Sequence, residues 1–408
     1  MPIVAGQGKR HRGWLLRGLG MTTGLLLGAG LIVALQVPIS TQKASFSLTA
    51  KNWLASSETT PVFSWPKTGS AAVVIPSLGV SVTSPQQPKV PIASLTKLMT
   101  AYVTLQALPL KIGQTGPCLY ITAADVAEYH HEESVDESNV PVTTGERLCE
   151  LQLLEGLIVH SAGNFAVLLS NLVGGSVPTF VSLMNSQART LGLTHTHYAD
   201  PAGINPLSVS TAGDQAALTT LLMRIPLMPV IARMTSVYLP FAGTVHTYTP
   251  LNGTHGVVGI KSGITNEAGG CDDLALQVSQ GSSAYVIYAI VLGQHGGNSL
   301  AVAGNAAYAL AVSAEKDVAS QVWTTTTIVG TVGWDTTQTP VVVAKNRTIF
   351  WWSAAAPPSW SYKAVTATSH IKRGQVVARL KVQAKKPFVL ALIATQSINR
   401  PLWWQGLR

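Results

Sequence analysis

A serine and a lysine lie three residues apart at the start of an apolar helical pattern in residues 91–102. Residues at this spacing share one face of a helix, so the amine of Lys97 can reach the hydroxyl of Ser94. Burial against apolar neighbours favours the neutral amine, which can accept the proton of the serine. The backbone N–H of a serine at a helix N-terminus can also stabilise an oxyanion. The segment therefore predicts a nucleophilic Ser94 with Lys97 as its base.

The Ser-x-x-Lys spacing alone is weak, because most matches to it are exposed helix or loop lysines. It also begins at Ser40, Ser64, Ser313 and Ser369. Ser94 differs from these in having a proline-led helix start and apolar residues at i, i+3, i+4 and i+7. The surroundings therefore select Ser94.

A cation and a hydroxyl follow the apolar, strand-like run 257–260. Lys261 and Ser262 can hold a carboxylate, and Gly263 permits close approach of a substrate backbone. A similar Lys-Thr-Gly begins at Lys67, but it lies in a segment rich in Pro, Ser and Thr, with no apolar strand around it. We therefore expect the anion-binding group at Lys261.

A third hydroxyl lies between these two sites. Ser161 belongs to a polar cluster, residues 160–164, that interrupts an apolar helical run. Its place in the chain order makes it the candidate for a third catalytic hydroxyl.

With these three pieces in this order, the chain resembles the penicillin-sensitive D-alanyl-D-alanine carboxypeptidases, the low-molecular-mass penicillin-binding proteins. Their signature is S-x-x-K, S-x-N and K-[ST]-G. Further segments that resemble this family are residues 119–126, 145–148, 193–203 and 210–214. The resemblance extends from about residue 71 to about residue 312.

One departure from the signature concerns its asparagine. The position two residues after Ser161 is Gly163, and the asparagine follows at Asn164. Either the amide is displaced by one residue, or Asn164 keeps its place and Ala162 stands where the serine belongs. We prefer the first alignment, which keeps a hydroxyl in the site and expects a helix bulge to bring Asn164 into the cleft.

The resemblance implies a mechanism on peptidoglycan stem peptides. Ser94 attacks the carbonyl of the penultimate D-alanine, Lys97 takes its proton, and Ser161 relays a proton to the departing D-alanine. The oxyanion lies between the backbone N–H groups of Ser94 and Ile264, each donor being worth roughly 3 to 4 kcal/mol of barrier. The expected substrate-binding residues are Lys261, Ser262, Gly263, Ile264 and Asn164. A β-lactam antibiotic mimics the substrate and acylates Ser94.

Two other functions remain open. A β-lactamase of the same superfamily differs by fast deacylation, and the sequence shows no convincing acidic loop for activating water. A catalytically weak penicillin-binding or wall-binding protein is favoured by the departure at Gly163 and by an additional β-rich region.

The N-terminal segment, residues 1–42, has the character of a signal or membrane anchor. Four cations, at Lys9, Arg10, Arg12 and Arg17, precede an uncharged run from residue 20 to residue 37. This run is near the lower limit of ~20 residues for a membrane-spanning helix. Basic residues ahead of it place the remainder outside the cytoplasm, at the extracytoplasmic face of the membrane.

The net charge of +9 is scattered and includes several N-terminal cations. No basic stripe with aromatic residues is present, so we expect a polyanionic cell wall rather than nucleic acid as neighbour. Metal binding is also not expected: Glu128 and His131 form an E-x-x-H, and His195 and His197 an H-x-H, but a hydrolytic zinc site needs three protein ligands. Residues 130–137 are interpreted as a solvated charged loop, and no cofactor is expected.

Three cysteines are too few for a disulfide framework. Cys118 and Cys149 can pair if they lie close together, which spacing alone leaves open. Cys271 is interpreted as a small buried apolar residue.

The fold class expected is α+β. A β-lactamase/transpeptidase-like catalytic domain, residues 43–318, consists of a helical cluster on an antiparallel sheet. Its opening hairpin is residues 71–75 and 79–84, and a strand near 285–293 and a helix near 300–314 complete the sheet. A small β-sandwich is then predicted in residues 319–408 from six short β-branched or aromatic runs: 324–332, 340–344, 347–352, 362–368, 375–382 and 387–393.

Overall fold

A computed structural model of the chain describes residues 42–49, 60–135 and 137–401. The predicted N-terminal anchor, apart from Gln42, lies outside these residues. The helices described are α1 (Thr96–Ala107), α2 (Ala123–Ser134), α3 (Glu150–Val159), α4 (Gly163–Gly174), α5 (Val177–Thr190), α6 (Ala212–Leu222), α7 (Met228–Ala232) and α8 (Ser299–Lys316).

The strands fall into two groups along the chain. Those up to the end of the first large sheet are β1 (Ser45–Leu48), β2 (Ser70–Ile75), β3 (Val80–Thr83), β4 (Val90–Pro91), β5 (Cys118–Tyr120), β6 (Arg147–Cys149), β7 (Val209–Ser210), β8 (Ser236–Leu239), β9 (Gly243–His246), β10 (Val257–Thr265), β11 (Gly269–Gln280) and β12 (Ser283–Gln294). Those that follow α8 are β13 (Val318–Trp323), β14 (Ile328–Trp334), β15 (Thr337–Val343), β16 (Arg347–Trp352), β17 (Ser359–Ala364), β18 (His370–Ile371), β19 (Val376–Gln383), β20 (Phe388–Ala394) and β21 (Ile398–Asn399).

An antiparallel five-stranded sheet forms the centre of the first part of the molecule, in the order β10-β11-β12-β2-β3. Successive side chains of a strand point to opposite faces. In β2, Ala72 and Val74 pack against the helical cluster, whereas Ala71, Val73 and Ile75 pack in the apolar cluster on the other face. This strand is therefore buried on both faces, which explains the apolar run in residues 71–75.

Helices cover both faces of this sheet. Helices α1 and α3 to α7 contribute most of the larger apolar cluster, which also contains one face of the sheet. On the opposite face lies α8, whose Ala307, Leu310, Ala311 and Ala314 recur at helical spacing and pack on β11 and β12. The small side chains let this helix approach the sheet closely.

The strands after α8 form a separate β layer. A six-stranded sheet has the order β1-β14-β15-β20-β19-β17, and a two-stranded ladder joins β13 and β16. Both contribute to one apolar cluster, in which Val329 and Leu392 come from the sheet and Trp323 and Trp351 from the ladder. The expected α+β fold with a C-terminal β-sandwich is confirmed.

The first strand departs from the domain boundaries expected from the sequence. Residues 45–48 fall inside the span assigned to the catalytic domain, yet β1 pairs with β14 of the C-terminal sheet, with Ser45 opposite Gly333 and Leu48 opposite Gly330. Phe46 packs on the C-terminal cluster and against the ring of Tyr362. The sequence cannot indicate this pairing, because partners in a sheet are chosen by long-range packing.

Within the described part of the chain, no single helix has both the length and the apolar composition needed to cross a bilayer. Helices α4 and α5 pass that test only together, as a pair bent by 83°.

Candidate active site

Ser94 and Lys97 meet at the start of α1. A single 3₁₀ turn, Ala93–Leu95, leads into the helix and carries the serine. The Lys97 amine lies 3.0 Å from Ser94 Oγ, and the lysine has no exposed surface. The predicted contact is therefore present, between a buried amine and a partly exposed hydroxyl.

Two further groups contact the Lys97 amine. It donates to the backbone carbonyl of Ala202 at 3.0 Å, and the Glu137 carboxylate approaches it to 3.4 Å. With Ser94 Oγ, the amine therefore has three oxygen partners. Neither Ala202 nor Glu137 was expected at the site from the sequence.

The Ala202 carbonyl is presented by a tight loop that Asp200 organises. The Asp200 carboxylate accepts hydrogen bonds from the backbone N–H groups of Ala202, Gly203 and Asn205. Gly203 adopts a φ of 89°, a conformation that favours glycine. In the sequence, this segment was noted only for its resemblance to the family. In the structure, it places the carbonyl of Ala202 against Lys97.

The segment interpreted as a solvated charged loop is in fact partly buried. Helix α2 continues to Ser134, Glu132 is 3% exposed, and the side chain of Glu137 is 8% exposed. Burial, opposed by Lys97, raises the pKa of Glu137, and burial together with the Glu137 charge raises that of Glu132 to about 8. The interpretation failed because charge density along a sequence does not reveal a buried counter-charge 40 residues away.

Strand β10 runs directly past the N-terminus of α1. A Cβ built on Gly263 would lie 2.5 Å from the backbone nitrogen of Ser94 and 3.1 Å from Ala93 Cβ. Any side chain at residue 263 would separate strand and helix. Gly263 therefore sets the distance between the two halves of the site.

Lys261 and Ser262 lie just before this contact and are both buried. The Lys261 amine donates to the carbonyl of Ser262 at 2.7 Å, and Ser262 Oγ donates to the carbonyl of Tyr248 at 3.3 Å. Burial, reinforced by the positive charge of Lys97 and opposed by Asp272, lowers the pKa of Lys261 well below its usual value. An anion bound here would restore the charge of this lysine.

Ile264 is the next residue of β10 and pairs with Gly270 of β11. Its side chain is 52% exposed, so it lies at the rim rather than in the interior. Its backbone N–H therefore lies one residue beyond Gly263, the residue of β10 that approaches Ser94. The expected oxyanion site lies in this region.

Ser161 occupies the connection between α3 and α4. It is 4% exposed and has a φ of 63°, which is uncommon for a residue other than glycine. The neighbouring His160 bonds through Nδ1 to the carbonyl of His246 at 2.8 Å, and its ring lies 4.7 Å from that of Tyr248. Because the Tyr248 carbonyl also accepts from Ser262, this contact joins the connection between α3 and α4 to β10.

Asn164 does not line the cleft. It is 2% exposed; its Oδ1 accepts from the backbone N–H of Val140, and its Nδ2 donates to the carbonyl of Val140. Helix α4 begins at Gly163, so Asn164 lies in its first turn. The expectation of substrate contact is corrected: both polar atoms of this amide are used to tie the preceding loop to α4.

The family of D-alanyl-D-alanine carboxypeptidases matches residues 79–295, more than half of the chain. The chain belongs to this family. The resemblance inferred from the three motifs is therefore confirmed.

Curated relatives in this carboxypeptidase family include enzymes of two named kinds. The chain is 32% identical to the D-alanyl-D-alanine endopeptidase of Pseudomonas aeruginosa over 192 residues, which is 45% of this chain and 58% of that protein. It is 28% identical to the carboxypeptidase DacF of Bacillus subtilis over 189 residues, covering 44% and 46%, respectively. The chain thus spans about half the length of the curated relatives it matches.

Solved structures of penicillin-binding proteins share the fold. Penicillin-binding protein 6B from Escherichia coli superposes with a TM-score of 0.57 at 21% identity, covering 83% of this chain and 100% of that one. The Streptomyces K15 DD-transpeptidase gives a TM-score of 0.52 at 20% identity, covering 62% of this chain and 99% of that one. The first match therefore covers more of this chain than the transpeptidase does, 83% compared with 62%.

The structure also shows the state of the three cysteines and the neighbours of two histidines. Cys118 and Cys149, left open by the sequence, form a disulfide between β5 and β6, and Cys271 is buried as a free thiol. His130 is exposed and lies 3.3 Å from Glu133, while His195 lies beside Asp214.

Proposed function

We propose that the protein is a serine-type D-Ala-D-Ala carboxypeptidase that removes the terminal D-alanine from peptidoglycan stem peptides. The observation that carries this is the 3.0 Å contact between the buried Lys97 amine and Ser94 Oγ, in a chain of the D-alanyl-D-alanine carboxypeptidase family. A lysine held this close can take the serine proton as the hydroxyl attacks a carbonyl.

Acylation follows from the positions of these groups. Ser94 Oγ attacks the carbonyl of the penultimate D-alanine, and its proton passes to Lys97. The backbone N–H groups of Ser94 and Ile264 stabilise the oxyanion. The close approach of Gly263 to Ser94 supports this assignment. Ser161 relays the proton to the amine of the departing D-alanine, and water then hydrolyses the acyl-enzyme.

Recognition of the terminal carboxylate belongs to Lys261 and Ser262. A buried lysine with a lowered pKa gains a counter-charge when an anion binds, so this site favours a carboxylate over a neutral group. β-Lactams present a carboxylate and a strained amide, and we propose that they acylate Ser94 in the same way.

The test is release of D-alanine from diacetyl-Lys-D-Ala-D-Ala by the full chain in mild detergent. Ser94→Ala should abolish release. Ser64→Ala is the matched control, because Ser64 begins another Ser-x-x-Lys and is exposed; it should leave release unchanged. Release that survives in Ser94→Ala, or that a metal chelator abolishes, would overturn the serine mechanism.

A second candidate, β-lactam hydrolysis, is favoured by the carboxylate of Glu137 beside Lys97. Such a group was not evident from the sequence. Turnover of a chromogenic cephalosporin separates the two functions: a β-lactamase turns over many molecules per site, whereas a carboxypeptidase stops after one acylation. A third, a weak penicillin-binding protein, is indicated by penicillin labelling without release of D-alanine.

The proposed setting is the cell envelope, with residues 1–42 as anchor or signal and the site facing the cell wall. We divide the remainder into a catalytic domain, residues 43–318, and a C-terminal domain, residues 319–408, to which the pairing of β1 adds residues 45–48. Partition of the full chain with membranes, compared with a chain that lacks residues 1–42, tests the anchor.

A further inference from the structure

The position after Ala162 has no room for a side chain. A Cβ built on Gly163 would collide with Glu137, meeting its Oε1 and lying 2.5 Å from its Cδ. In the alignment preferred from the sequence, Gly163 stands where the S-x-N signature has its asparagine. The Glu137 carboxylate therefore occupies the space that a side chain at residue 163 would need.

This carboxylate points at the catalytic lysine. Glu137 Oε1 lies 3.4 Å from Lys97 Nζ, and the side chains are 8% and 0% exposed, respectively. Its Oε2 is buried and has no hydrogen-bond partner among the described residues. Within the described part of the chain, Lys97 is the ion-pair partner of Glu137.

The backbone around Glu137 is held in place from both sides. Its own N–H donates to the carbonyl of Glu132 at 3.0 Å, and the N–H of Gly163 donates to Ser138 at 2.8 Å. Asn164 holds Val140 through both atoms of its amide. The loop that carries Glu137 is thus fixed to α2 and to the first turn of α4, which gives the carboxylate a defined position.

We propose that Glu137 is a positioning residue of this carboxypeptidase: it replaces the side chain missing at Gly163 and holds the amine of Lys97 against Ser94. This inference rests on the proposed function. It also explains the departure from the signature, because glycine at residue 163 and glutamate at residue 137 fill one volume together.

Other charged groups face this pair and enter its pH dependence. On the Glu137 side, a cavity of about 630 Å³ is lined by Glu128, His131 and Glu132 of α2 and by Asp200. The positive charge of Lys261 of β10 also acts on Lys97, and Asp272 of β11 favours the charged form of Lys261. Burial, the negative charges of Asp200 and Glu128, and the opposing charge of Lys97 together leave the pKa of Glu137 raised.

Two substitutions of Glu137 separate its shape from its charge. Glu137→Gln keeps an oxygen that accepts from Lys97 but removes the negative charge that stabilises the ammonium. The group that faces Lys97 is then uncharged at every pH, so the acid limb of the acylation rate moves to lower pH, with the plateau within about threefold of wild type. Glu137→Ala removes the contact, and the rate falls about 10- to 100-fold at every pH.

A double-mutant cycle tests the shared volume. Gly163→Ala should reduce acylation at least tenfold, because its Cβ displaces the carboxylate. In a Glu137→Ala background the same change should cost less than threefold, since the obstacle is gone. Glu133→Gln, an exposed carboxylate in α2, is the matched control and should behave as wild type.

The readout is the rate of covalent labelling of the full chain by a fluorescent penicillin between pH 5 and 9. Thermal unfolding of each variant separates loss of fold from loss of rate; if Glu137→Ala does not fold, the acid limb of Glu137→Gln decides. Wild-type rates and an unmoved acid limb in Glu137→Gln, or a Gly163→Ala defect that persists without Glu137, would overturn the inference. A wild-type chain that is not labelled would instead overturn the proposed function.

Discussion

Gly263 and Ser94 approach so closely that a Cβ on residue 263 would lie 2.5 Å from the serine's backbone nitrogen. The sheet and the helical cluster meet at this contact, and the groups on both sides of it belong to the proposed catalytic site. The distance between Lys261 and Ser94 is therefore controlled by the absence of one methyl group.

We predict that Gly263→Ala slows labelling by fluorescent penicillin about 100-fold or more, because it pushes β10 away from the oxyanion site, and misplacement by about 1 Å can cost this much. Gly297→Ala is the control, since a Cβ there meets no atom within 4 Å. Labelling of Gly263→Ala at the wild-type rate would show that the contact does not control the site.

Lys97→Arg should reduce the acylation rate about 10²- to 10⁴-fold. Arginine keeps the positive charge but is not deprotonated in proteins, so it cannot act as a base. The same change at Lys67, in the exposed Lys-Thr-Gly, should leave the rate unchanged. If Lys97→Arg retained the wild-type rate, the base would have to be another group.

The disulfide between Cys118 and Cys149 should stabilise the fold by about 3 to 4 kcal/mol, because it closes a loop of 31 residues in the unfolded chain. Adding reductant should lower the urea midpoint of the wild type. The double variant Cys118→Ser/Cys149→Ser should begin at the lower midpoint and show no further change with reductant. Equal midpoints for oxidised and reduced wild type would contradict this.

Asp273 should make stability fall as pH rises. Its carboxyl is fully buried and accepts from Thr219 Oγ1; burial raises its pKa to about 7. A raised folded-state pKa means that the native protein binds the proton more tightly than the unfolded chain, so its stabilising contribution is complete below pH ~4 and is lost as pH rises towards ~7.

The free energy of unfolding that Asp273 contributes falls by at most about 4 kcal/mol between pH ~4 and ~7. Asp273→Asn cannot ionise and should reduce the slope of the stability profile between pH ~4 and ~7, measured by urea unfolding. Glu267→Gln, an exposed residue in the neighbouring turn, should keep the wild-type slope. A wild-type slope in Asp273→Asn would assign the pH dependence to other groups.

Much of the catalytic half of the fold follows from local patterns. The hairpin of β2 and β3 and helix α8 lie within a few residues of their predicted bounds. Alternation and helical periodicity are properties of neighbouring residues, so they can be seen in a single sequence. The expected strand near residues 324–332 begins later, at Ile328, and the preceding strand β13 was missed.

The candidate site also has one contact that local spacing predicts and others that it does not. The contact of Ser94 with Lys97 was predictable, because three residues along a helix always bring two side chains to one face. The contacts of Lys97 with Glu137 and Ala202 were not, since their sequence separations are 40 and 105 residues. A glycine in place of the signature asparagine was the available signal that another side chain fills its space.

By itself, the sequence determined the contact between Ser94 and Lys97, the family and the fold class. The tertiary structure decided which distant groups complete the site: the carboxylate of Glu137, the carbonyl of Ala202 and the close approach of Gly263 to Ser94. It also decided that β1 joins the C-terminal sheet. The reason is physical: backbone geometry relates residues within one or two turns, whereas contacts between distant segments depend on how whole elements pack.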